Sequence, residues 1–158
     1  MISLAAHGAL LGLGATILFD LWLVALGLKT GSPPDMSPLG RWAWHMKDGA
    51  FRHDDIGKAA PYAHEKALGW AVHYAVGIAY GKIFALIMGP GWLAAPTLLP
   101  AWIFGIVTLG AGWFILQPCL GAGMAASRTP NPGARRIEGL IGHTVFGIGI
   151  WLTALLIR

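Results

Sequence analysis

Ala67-Leu68-Gly69-Trp70-Ala71-Val72-His73-Tyr74-Ala75-Val76-Gly77-Ile78-Ala79-Tyr80-Gly81-Lys82-Ile83-Phe84-Ala85-Leu86-Ile87-Met88 is apolar along its length apart from His73, Lys82 and two tyrosine hydroxyls. A helix needs about 20 such residues in a row to cross the hydrocarbon core of a bilayer. Three further stretches have the same character, at residues 2–28, 97–116 and 137–157. Together the four fill more than half of the 158 residues. The chain is 56% hydrophobic and 11% charged, with a mean hydropathy of +0.62. A soluble domain of this size carries about twice that charged fraction. The expected fold class is an all-α membrane protein. One domain over residues 1–158 would hold four transmembrane helices in a left-handed bundle, with a long connection over residues 29–66.

Charge placement gives an orientation. Lys29, Arg41, Lys47, Arg52, Lys58 and Lys66 fall in or beside the first connection, and Arg128, Arg135 and Arg136 in the third. The second connection, Gly89–Pro96, carries no charge. Basic loops stay on the cytoplasmic side, so the 29–66 loop is expected inside and both termini outside. Lys82 and Arg158 can snorkel to the outer interface. The net charge of +4 is thus a topology signal and an attraction to anionic lipid, and no nucleic-acid partner is expected. The inner (cytoplasmic) membrane of a bacterium is the expected location. The first apolar segment has no basic leader and no small-x-small cleavage site before Lys29, so it reads as retained. The lone cysteine, Cys119, excludes an intrachain disulfide and any multi-cysteine metal site, and it reads as a packing residue.

Punctuation marks the ends of the spans. Lys29-Thr30-Gly31-Ser32-Pro33-Pro34 stops the first, Gly89-Pro90-Gly91 the second and Gln117-Pro118 the third. Trp92 stands where an interfacial anchor is expected. Arg41-Trp42-Ala43-Trp44-His45-Met46 suits a short amphipathic helix at the headgroups. Thr129-Pro130-Asn131-Pro132 reads as a rigid turn. Gly69-x-x-x-His73-x-x-x-Gly77 and Gly139-x-x-x-His143-x-x-x-Gly147 suggest a tandem repeat of two helical hairpins, related by an axis along the membrane normal.

Asp20, His73 and His143 are ionisable groups within apolar segments, where such groups are costly and usually functional. At about 1.5 Å of rise per residue, counted from Lys29, Lys66 and Arg136, all three lie roughly 10–14 Å inside the cytoplasmic boundary. Thr108 falls at a similar level. Residues four apart share a helix face, which groups Gly8, Gly12, Thr16 and Asp20; Gly69, His73, Gly77 and Gly81; and Gly139, His143 and Gly147. The expected ligand-binding pocket has Asp20, His73 and His143 as its floor, with Thr108 beside them. Gln117, Arg52, His53 and Arg128 stand at its mouth. His45, His64 and Glu65 lie on the same side as lid candidates or a second set of ligands. His7, near the outer end, reads as interfacial.

The polar layer admits several chemistries. Asp20, His73 and His143 could ligate a divalent metal such as iron or zinc. The two histidines could ligate a haem from both sides. The cluster could relay protons or bind a polar solute, as in transporters. An interhelical hydrogen-bonded clamp is the structural alternative. Other chemistries lack their motifs: there is no His-Glu-x-x-His, no Walker lysine loop and no Gly-x-Ser-x-Gly. Gly121-x-Gly123-x-x-Ala126 mimics a dinucleotide fingerprint but follows a spanning helix rather than a strand.

Phe51-Arg52-His53-Asp54, Leu68-Gly69-Trp70 with His73-Tyr74, Gly89-Pro90-Gly91-Trp92-Leu93, and Gln117-Pro118 through Ala125-Ala126-Ser127-Arg128-Thr129-Pro130-Asn131-Pro132 resemble a bacterial family of integral membrane proteins of unknown function (DUF 2938). The resemblance covers nearly the whole chain. It implies a four-helix inner-membrane protein and no particular activity. The functional expectation is therefore an intramembrane Asp/His pocket open to the cytoplasm that binds, and in one version transports, a small ligand or metal ion. The alternatives are a membrane-embedded haem or iron redox protein and a structural accessory subunit. The glycine-rich outer surfaces permit a homo-oligomer without requiring one.

Overall fold

The computed structural model describes residues 3–158, which are helical apart from connections and contain no strand. Ile2, where the first span was expected to begin, lies outside the described residues. The helices are α1 (Leu4–Thr30), α2 (Ser37–His45), α3 (Glu65–Ala94), α4 (Leu98–Cys119) and α5 (Pro132–Ile157). At 27, 30, 22 and 26 residues, α1, α3, α4 and α5 are long and apolar enough to cross a membrane. Leu21, Leu28, Leu86, Ile87, Val107 and Leu156 on these helices are 61–84% exposed. In water they would be an aggregation liability, whereas lipid tails suit them.

Local chemistry fixes the ends, and it differs from the expected ends in three places. At α3, Gly89 adopts φ 69°, ψ −179°, which breaks the helix where the Gly-Pro-Gly signal stands. The chain then makes one more helical stretch from Pro90, which has no N–H to lose. This brings Trp92 into the core, 8% exposed and edge-on to Phe84 at 4.8 Å, although it was expected as an interfacial anchor. At α5, helix begins at Pro132, well before the apolar run at Ile137. The Asn131 side chain accepts from the Ala134 N–H at 3.2 Å, and proline suits the first helical position. Asn131-Pro132 is thus a helix start and not merely a turn. At α4, residues Gly112–Leu116 form a π turn, in which the Gln117 N–H reaches back to the Gly112 carbonyl. The wide turn carries the helix past Pro118 to Cys119.

The chain divides into two compact units. The first contains Met1–Pro33, Tyr74–Thr108 and Leu140–Arg158. Its core is Leu11, Ala15, Phe84, Ala85, Trp92, Ala101, Phe146, Ile150 and Ala154. Here α1 and α3 meet glycine to glycine. A Cβ built on Gly12 would lie 2.7 Å from the Ile78 Cα and closer still to the Gly77 carbonyl oxygen. One built on Gly8 would lie 2.6 Å from the Lys82 Cα. On the other side, Gly105 of α4 faces Gly147 of α5, where a Cβ would come to 2.8 Å. Small residues are what permit backbones to approach this closely.

The second unit contains Pro34–His73 and Leu109–Gly139. It is built around α2, the first turns of α3, and the π turn with the segment that follows it.

Candidate functional site

The second unit holds its loop by a few strong contacts. Arg41 on α2 forms a two-pronged ion pair with Glu65, Nε to Oε2 at 2.8 Å and Nη2 to Oε1 at 2.7 Å. Its Nη1 also donates to the carbonyls of Ile56, Gly57 and Ala59 at 3.1–3.3 Å. A guanidinium fork suits such multiple donation, where a lysine would not. The Glu65 carboxylate in turn raises the Arg41 pKa above its ordinary value. The Trp44 and Tyr62 rings stack with centroids 3.8 Å apart, and the Trp42 indole donates to the Phe51 carbonyl at 2.9 Å.

That frame positions a pair of imidazoles. His45 Nε2 stands 2.9 Å from the Ala60 carbonyl oxygen, and His45 Nδ1 stands 3.1 Å from His53 Nε2. The His53 backbone is held separately, its N–H donating to the Cys119 carbonyl at 2.8 Å. The Ile56 N–H likewise donates to Leu120 at 3.1 Å. Residues 53–56 therefore run along the end of α4, immediately after Gln117. Gly121, at φ 89°, fits there because a Cβ would collide with the Asp54 carbonyl.

Three buried polar atoms in this unit have no hydrogen-bond partner among the described residues. They are His53 Nδ1, Gln117 Oε1 and Trp113 Nε1. Trp113 on the π turn and Gln117 just after it are four residues apart, hence on one side of the helix. π turns in α-helices occur often at functional sites. Buried polar groups are nearly always satisfied, so several orphans in one unit call for an explanation.

The other expected site residues fall as follows. Arg52 and Arg128 belong to this unit and are exposed; the Arg128 backbone N–H caps the turn by donating to the Ala122 carbonyl at 2.9 Å. His73 is in the second unit, edge-on to Trp70 at 5.7 Å. Asp20, Thr108 and His143 are in the first unit. There Thr108 and His143 are brought together: Nδ1 of His143 lies 3.0 Å from both Thr108 Oγ1 and the Gly105 carbonyl, and the Thr108 hydroxyl donates to that carbonyl at 2.7 Å. Phe19 and Phe146 pack around the imidazole, with centroids 5.9 and 6.3 Å away. Asp20 accepts a hydrogen bond from the Tyr74 hydroxyl. Among the described residues no three His, Cys, Asp or Glu side chains are grouped as a metal-binding set.

Neither Trp113 nor Tyr74, the partner of Asp20, was among the site residues expected from the sequence. Signals existed for both. Trp113 stands one turn from Gln117, and Tyr74 is next to His73. An open cavity of about 550 Å³ in the first unit, lined by Leu4, His7, Pro90, Leu93, Ala94 and Arg158, contains none of the polar atoms above. His7 there is tied down locally, its Nδ1 lying 3.1 Å from the Ser3 carbonyl.

The fold defines a class of helical protein whose four long helices are apolar enough to span a membrane. Within that class, the chain belongs to the family described as protein of unknown function (DUF2938), whose family model matches residues 9–157. No curated protein and no solved structure matches the chain.

Proposed function

We propose that this protein is a multi-pass membrane protein that binds a small polar solute within the unit formed by residues 34–73 and 109–139. The observation that carries the reading is the set of buried, partnerless polar atoms His53 Nδ1, Gln117 Oε1 and Trp113 Nε1. A buried donor or acceptor left unmade costs about 1–3 kcal/mol. A solute that satisfies these three would recover that cost, which gives the unit a reason to bind one.

In this reading the 29–66 connection faces the cytoplasm and both termini face out, on the strength of the basic loops. Arg52 and Arg128, exposed in the same unit, flank the approach. The tandem-hairpin repeat is supported by the corresponding roles of Gly77, which packs against α1, and Gly147, which packs against α4. A different role suits His143. Its contacts with Thr108 and Gly105 join α5 to α4 and favour an interhelical clamp for that part of the polar layer.

The test is the indole N–H resonance of Trp113, identified by its loss in Trp113→Phe, in protein held in mild detergent. Acetamide, urea, glycerol, acetate and methylammonium are titrated in turn. A saturable shift with at least one of them, lost in Gln117→Leu, is the expected result. No saturable shift with any of them refutes the reading. Fusion reporters at either terminus test the orientation.

A further inference from the structure

The hydrogen-bond geometry of the two imidazoles fixes where their protons lie, and with that the chemistry of the solute. His45 Nε2 faces a carbonyl oxygen at 2.9 Å. A carbonyl only accepts, so that nitrogen carries a proton. In a neutral ring the other nitrogen, Nδ1, is then a lone pair. It faces His53 Nε2 at 3.1 Å, so the His53 nitrogen must be the donor. By the same rule His53 Nδ1 is a lone pair. The chain of donation therefore runs from His53 Nε2–H to His45 Nδ1, and from His45 Nε2–H to the Ala60 carbonyl. Each bond polarises the next, which raises the electron density on the one ring nitrogen left over. That nitrogen, His53 Nδ1, is buried and without a partner among the described residues.

We infer that the solute is a neutral hydrogen-bond donor of the primary-amide or urea class, recognised by an N–H given to His53 Nδ1. This rests on the binding reading above and adds the chemical class. Gln117 Oε1 is a second buried acceptor and Trp113 Nε1–H a buried donor. Two acceptors and one donor match an amide, whose NH2 gives two hydrogens and whose carbonyl takes one. They reject a carboxylate of the same shape, which has no hydrogen to give. The basic character of the surrounding loop does not alter this. Arg41, the cation built into the frame, already has its donors on Glu65 and three carbonyls. His45 is the positioning residue. It touches no solute atom in this scheme and acts by holding His53 in one tautomer.

The experiment uses the full chain with 15N-labelled histidine in mild detergent at a pH where both imidazoles are neutral. Long-range 1H–15N spectra report the tautomer of each ring. Acetamide and acetate, equal in shape and different in their hydrogens, are then titrated. The expected result is His53 protonated at Nε2, with an upfield shift of its Nδ1 on adding acetamide. Acetate binds roughly tenfold to a hundredfold more weakly, because a carboxylate leaves the buried acceptors unmade. In His45→Phe the fixed tautomer gives way to a mixture, while the Trp113 indole resonance stays in place. A proton found on Nδ1 of His53 in the unliganded protein overturns the inference. So does equal or tighter binding of acetate, and in both cases the binding reading stands if the Trp113 resonance still saturates. A correct tautomer with no response of either His53 or Trp113 to acetamide or acetate also overturns the inference; if the other solutes fail on Trp113 too, the binding reading falls with it.

Discussion

Gly12 offers the sharpest test of how the first unit is packed. Replacing it with alanine adds one methyl group where the Ile78 Cα stands 2.7 Å away, the Gly77 carbonyl carbon 2.9 Å and the Gly77 oxygen nearer still. Carbon atoms rest at about 3.5–4.0 Å, so α1 and α3 must part by roughly 1 Å. All three obstacles are backbone atoms, and no side-chain rotation relieves them. Overpacking of this kind costs about 1–3 kcal/mol. Against it stands the better helix propensity of alanine, about 1 kcal/mol in a helix interior. With every obstacle in the backbone the clash falls at the upper end of its range and outweighs the propensity gain, leaving a net loss of up to about 2 kcal/mol. Gly112→Ala supplies the control, since a Cβ there meets nothing within 4 Å. It is expected to be neutral or to stabilise by up to about 1 kcal/mol. The assay is reversible unfolding in mixed micelles, followed by circular dichroism, for both variants side by side. Equal midpoints for Gly12→Ala and Gly112→Ala would refute the argument that α1 and α3 touch through backbone.

Three further outcomes follow from particular contacts. Arg41→Met removes the donors to Glu65 and to the carbonyls of Ile56, Gly57 and Ala59, so limited proteolysis should cut within residues 46–64 faster than in the parent; an unchanged cutting rate would mean that Arg41 does not hold the loop. Gly89→Ala forces φ 69°, ψ −179°, a region essentially reserved for glycine, on a residue with a Cβ but meets nothing within 4 Å, so it should cost about 1–3 kcal/mol from backbone alone, read as a lower unfolding midpoint. Asp35 is held below the ordinary carboxylate pKa by its hydrogen bonds from Ser37. A depressed folded-state pKa means that this stabilisation is complete above the unfolded value of about 3.9 and is lost as pH falls through the lowered one. Hydrogen-exchange protection at the start of α2 should therefore be flat from neutral pH down to about 5 and drop below about 4, and protection that already falls between neutral pH and 5 would contradict it.

Much of the architecture is legible in one dimension because lipid leaves few choices. A helix that satisfies its own backbone is the simplest way for an apolar chain to cross hydrocarbon, so runs such as 67–88 and 137–157 declare themselves by composition. Glycine spacing likewise marked faces on α1, α3 and α5, and the structure shows that glycines of these faces make close helix contacts. The ends were less legible where a capping pair competed with the apolar pattern, as at Asn131-Pro132. The break at Gly89 was foreseen, but not that the chain would turn there and bury Trp92.

The sequence by itself determined the helical class, the four long apolar segments, the helix faces that carry glycine, and which polar residues deserved attention. These follow from hydrophobic length, helix periodicity and the cost of polar groups in hydrocarbon, all of which are local. Only the tertiary structure decided which polar atoms acquire partners. His143 and Thr108 are 35 residues apart and meet over the Gly105 carbonyl, while His45, at the end of α2, and His53, in the loop that follows, meet nitrogen to nitrogen and leave one nitrogen over. Gln117 and Trp113 share a side of the helix by their spacing, but the π turn that carries Trp113 is invisible in the residue pattern. Whether a buried donor finds an acceptor depends on distances of about 3 Å between segments remote in sequence, and no property of the segments taken singly fixes those distances.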